Sequence, residues 1–132
     1  MPTTFLTRTV TFTLIGPHIL EQRYGLLNSG EEDIAEVAAT RDRILHEHAP
    51  CALMIVVPDG LPLRPDLMGK DHYRALRERG DILALAMVAD NDELLTAVRL
   101  YLIYHQQPFP TAAFDHERDA LRWLRQHVEG SR

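Results

Sequence analysis

"CALMIVV" (Cys51–Val57) and "ILALAMVA" (Ile82–Ala89) decide how the chain folds. Each is a continuous apolar run bounded by turn or charged residues. Neither is long enough for a good helix and neither alternates, which is the pattern of strands buried on both faces. Such strands are usually parallel, with crossover helices lying over the sheet, so the two runs predict an α/β domain. Between them "DLMGKDHYRALRER" (66–79) predicts a crossover helix that stops at Gly80.

Working outward, "RTVTFTL" (8–14) alternates, with Val10, Phe12 and Leu14 on one side and threonines on the other. That is a half-buried strand rich in β-branched residues. Gly16-Pro17 is a turn signal, and "HILEQRY" (18–24) then closes a hairpin. In "SGEEDIAEVAATRDRILHEH" (29–48), Ser29 and Glu32 have capping-box spacing, and Ile34, Val37, Ala38, Ile44, Leu45 and His48 share one side of a helix. Downstream, Asp90 and Glu93 predict a capping box for a helix over Asp92–Gln106. "FPTAAF" (109–114) predicts a short edge strand, and "DHERDALRWLRQHV" (115–128) a final helix with Ala120, Leu121, Leu124 and Val128 inward and Trp123 partly buried. The expected order is β-β-α-β-α-β-α-β-α: a single domain over residues 1–132, with one mixed five-stranded sheet flanked by helices.

Composition narrows the function classes. A net charge of −5 argues against nucleic acid and against anionic membrane surfaces. One cysteine permits no internal disulfide, so a reducing, cytoplasmic setting is expected. No apolar run reaches the about 18 residues of a membrane span, and "MPTTFLTRTVTF" has neither the charged nor the apolar region of a signal peptide.

Enzyme motifs fare poorly. Gly69-Lys70 has Arg64 where a phosphate loop needs its first glycine and Asp71 where it needs a hydroxyl. Ser29 and Ser131 are the only serines, and no nucleophile elbow exists. Cys51 opens a buried strand, where a cysteine is a small inert hydrophobe. Among the seven histidines, His46 and His48 are split between helix faces; Asp42 and His46 share one, without any strong metal spacing. Lys70, Arg74 and Arg77 line a helix face that Asp71 and Glu78 make an ordinary solvated one. No catalytic set, metal site or cofactor is expected. Open α/β sheets bind ligands at the carboxyl ends of their strands, so Asp59 and Asp66, flanking the loop after "CALMIVV", are the candidate ligand-binding residues. Turn formation and helix capping explain both equally well.

The helix "ELLTAVRLYLIYH" (93–105) is the more informative surface. Leu94, Leu95, Val98 and Leu102 form an inward stripe, while Leu100, Tyr101, Ile103 and Tyr104 carry apolar character well around the cylinder. A helix this apolar is buried on two sides or meets a partner. Leu100, Tyr101, Ile103 and Tyr104 are therefore the expected interface, for a homodimer or another protein.

"ILALAMVADNDELLTAVRLYLIYHQQPFPTAAFDHERDALRWL" (82–124) resembles the ending of SpoIIAA-like proteins, the fold shared by STAS domains and the lipid-carrying CRAL-TRIO domains. The pattern is an apolar strand, a helix, P-F-P-T-x-x-F, an acid-rich helix start and A-L-x-W-L. The hairpin, first helix and "MIVVPDG" fit the same order. The resemblance implies a small, stand-alone bacterial domain acting by protein binding, or carrying a small apolar or lipid-like ligand. A metal- or carboxylate-dependent hydrolase using Asp59, Asp66 and histidines is a further alternative. In antagonists of anti-sigma factors with this fold, a D-S-S-G segment carries a phosphorylated serine. Here "DLMG" (66–69) stands in its place, with Leu67 and Met68 for both serines, so no phospho-switch is implied.

Overall fold

The computed structural model describes residues 3–25, 31–58 and 81–130. Six strands form one mixed sheet in sequential order: β1 (Thr3–Leu6), β2 (Val10–Ile15), β3 (Ile19–Tyr24), β4 (Cys51–Val57), β5 (Ile82–Ala89) and β6 (Thr111–Phe114). β1–β2 and β2–β3 pair antiparallel; β3–β4, β4–β5 and β5–β6 pair parallel. Three helices are described: α1 (Glu31–Glu47), α2 (Asp92–Tyr104) and α3 (Glu117–Gly130).

The mixed α/β architecture is as expected, but the sheet has six strands rather than five. The extra one is β1. Its four residues are too few to show an alternation, and three of them are exposed. The predicted helix over 66–79 and the residues Ser29, Asp59 and Asp66 lie outside the described residues.

The pleat sorts side chains into two cores. Val10, Phe12, Leu14, Leu20, Leu53, Ile55, Leu85 and Met87 face α1 and α2, joining Val37, Ile44 and Leu45 of the first and Leu94, Leu95, Val98 and Tyr101 of the second. On the other face Ile19, Ala52, Met54, Val56, Ala84, Ala86 and Val88 meet Ala120, Leu124 and Val128 of α3. The topology explains this division. The parallel strands advance in one direction, and right-handed crossovers then place their helices on one side. α3 follows the last strand and folds back over the bare side. β4 and β5 are sandwiched between both layers, so they need no alternation.

α2 starts at Asp92 as expected and ends at Tyr104, two residues short of the expected Gln106, but its cap differs. Asn91, not Asp90, is its cap: its Oδ1 accepts a hydrogen bond from the Leu94 N–H at 2.8 Å. The helix ends at Tyr104, where the His105 N–H bonds back to the Tyr101 carbonyl. Trp123 is partly buried against Phe114, with ring centroids 5.7 Å apart.

Candidate functional site

The parallel strands end on one rim of the sheet, and a cleft of about 340 Å³ lies there. β3 contributes Arg23 and Tyr24, and β4 supplies Val56 and Val57, followed by Pro58. Val88 of β5 and Asp90 just beyond it form the next wall, and Asp115, His116 and Glu117, at the turn from β6 into α3, close it. This is the position where open α/β sheets hold ligands.

Its charges are largely committed to each other. The Arg23 guanidinium bonds Glu21 at 2.8 Å and also pairs with Glu117 at the start of α3. Partial burial works against the Arg23 charge, but the hydrogen bonds it donates to Glu117 and Glu21 more than compensate and raise its pKa. Arg23 thus staples β3 to α3 across the rim. Asp90, Asp115 and Glu117 leave the lining with more acid than base, which disfavours a phosphate or carboxylate ligand. Tyr24 accepts a hydrogen bond at its hydroxyl from Gln22 Nε2 at 3.0 Å, and burial raises its pKa. It is held as a neutral phenol.

Among the described residues no three histidine, cysteine or acidic side chains converge as metal ligands. Cys51 is fully buried, its thiol reaching the His48 carbonyl at 3.4 Å, and burial pushes its pKa up to about 11. That is the inert cysteine the sequence predicts, with almost no thiolate at neutral pH. His46 and Asp42, which share a helix face, have separate partners. His46 Nδ1 lies 3.3 Å from Asp81 Oδ2, while Asp42 accepts from Arg41 Nε at 3.0 Å.

The four interface candidates divide. Leu100, Ile103 and Tyr104 are 60%, 67% and 79% exposed, whereas Tyr101 is 6% exposed and packs in the core. Tyr101 lies three residues after Val98 and seven after Leu94, so the helical repeat turns it inward with them. The other three fall at i, i+3 and i+4 and make one contiguous stripe opposite the packed side. Thr96 and Arg99 are exposed beside it.

The residues of the strand-end cleft were not singled out by sequence reading. A weak signal existed: acids follow β5 and β6 (Asp90, Asp115), as Asp59 follows β4. Their convergence needs the parallel register of four distant segments. No helix is long and apolar enough to cross a membrane among the described residues. No curated protein and no solved structure matches the chain. Residues 70–128, a span that includes β5, α2, β6 and most of α3, match the model of a family described as a domain of unknown function, DUF7793.

Proposed function

We propose that this chain is a non-enzymatic, SpoIIAA-like (STAS-like) domain that acts by binding another protein through the outer face of α2. The observation that carries the reading is the stripe of Leu100, Ile103 and Tyr104, three large apolar side chains mostly in water. Exposing one such residue is ordinary; three adjoining on the solvent side of one helix mark a contact surface. Helices recognised by grooves present anchors at this same i, i+3, i+4 spacing. Sequential parallel strands with α1 and α2 on one face support the SpoIIAA-like architecture. With Leu67 and Met68 in place of serines, control by phosphorylation there is not part of the proposal.

A carrier of an apolar ligand has less support. The described cleft is rimmed by charges rather than by apolar side chains alone. The hydrolase reading lacks convergent acid and base groups among the described residues.

The test is site-specific photo-crosslinking in cells. A photoreactive residue at Leu100 or Tyr104 should give discrete protein adducts that Ile103→Glu abolishes. The same probe at Arg122, exposed on α3, should give none of them. Equal labelling at all three positions, or adducts indifferent to Ile103→Glu, would remove α2 as the binding face.

A further inference from the structure

We propose that two copies of this chain join edge to edge through β1, antiparallel about a twofold axis at Phe5, extending the sheet across both molecules. This contact is separate from the α2 face, which lies towards the opposite edge and stays open for a different protein.

The ladder pattern shows which groups of β1 are available. The Thr7 N–H bonds to the Val10 carbonyl, and the Gly25 N–H to the Thr9 carbonyl. Hydrogen-bonded and non-bonded pairs alternate in antiparallel ladders. Thr3 and Phe5, opposite Leu14 and Phe12, therefore bond inward to β2. Thr4 and Leu6 point their N–H and carbonyl groups away from the sheet.

Among the described residues, that edge lacks the usual guards. Sheet edges are protected by lysine, proline, inward charges or bulges. β1 has no charged residue and no proline, and its register with β2 is unbroken. Leu6 is 76% exposed on the face where α3 packs against β3 to β6.

A second copy fits this strand better than an arbitrary peptide. Pairing Phe5 with Phe5 sets Thr4 of each chain opposite Leu6 of the other. Both outward residues then exchange N–H and carbonyl bonds, four in all, and each exposed Leu6 packs beside the γ-methyl of the facing Thr4. No like charges meet across the axis. Sliding so that Thr4 meets Thr4 would put Leu6 opposite Pro2, which has no N–H to donate. Sliding the other way sets Thr4 against Arg8, which lies beyond the end of β1 in the bend before β2. One register satisfies the strand, and it is self-complementary, as a twofold contact requires. The short ladder falls below the about 1,200 Å² of standard interfaces, so the dimer is concentration-dependent.

Sedimentation velocity over a concentration series, joined to two cysteine probes, tests this. Wild-type protein should shift with concentration from 15.1 kDa towards twice that mass. Thr4→Pro removes an outward N–H that β2 does not use, so it should stay monomeric with an unchanged circular dichroism spectrum. Leu6→Lys should do the same and stands in should the proline variant unfold. Phe5→Cys should oxidise to a disulfide dimer, because paired Cα atoms at non-bonded positions lie about 4.5 Å apart, within disulfide reach. Thr3→Cys should not, its copies being about 13 Å apart by strand rise. A wild-type monomer at every concentration, a dimer that survives Thr4→Pro and Leu6→Lys, or equal cross-linking at positions 3 and 5 would overturn the proposal. A dimer lost instead with Leu100→Glu would move self-association to α2, sinking the β1 contact while leaving the binding function of α2 standing.

Discussion

α3 and α2 cover opposite faces of the same sheet with comparable inner stripes, yet their outer surfaces differ. Inward, α3 places Ala120, Leu124 and Val128 one turn apart, and α2 places Leu94, Leu95, Val98 and Tyr101. Outward, α3 carries Arg118, Arg122, Arg125 and Gln126, whereas α2 carries Leu100, Ile103 and Tyr104. Burial of the sheet explains both inner stripes, and solvation explains the outside of α3. Neither explains the outside of α2. What the fold leaves unexplained is the apolar outer face of α2, the feature on which the proposed binding role rests.

The contrast can be broken by cutting the same residue type on each helix. Leu124→Ala empties a fully buried site and should cost about 2–5 kcal/mol in urea denaturation. Asn91→Ala removes the side-chain acceptor for the Leu94 N–H and should cost about 1 kcal/mol, measured the same way. Asp90→Ala should cost less, since it does not cap the helix. Leu100→Ala should change stability by no more than about 0.5 kcal/mol, as for a surface substitution. A loss at Leu100 approaching that at Leu124 would place the outer face of α2 in the core and remove the case for a binding face.

Legibility in the sequence followed the length and regularity of each pattern. β4 and β5 announced themselves because seven or eight apolar residues in a row fit few other structures. α3 showed a clean one-sided repeat. β1 escaped because four residues, "TTFL", cannot display an alternation. The start of α2 at Asp92 was legible, but its cap was misassigned because Asp90 and Asn91 are both good cap residues and the sequence does not show which side chain reaches the Leu94 N–H. Tyr101 was legible but misassigned: an apolar residue on a helix with apolar residues all round does not reveal its own side until the angle is counted from Leu94 and Val98. The cleft was the least legible feature. Arg23, Val57, Asp90 and Asp115 stand far apart in the chain, and only parallel register brings their strand ends to one rim.

The sequential strand order has a consequence for biosynthesis. Each strand pairs with the one before it, so every new strand emerging from the ribosome finds its neighbour already made. Low separation between pairing segments shortens the search for native contacts. The exception is α3, the last described element, which packs over β3, β4, β5 and β6 together. Until it emerges, Ala52, Met54, Val56, Ala84, Ala86 and Val88 form a bare hydrophobic wall on the nascent chain. That is the interval in which a chaperone has something to hold.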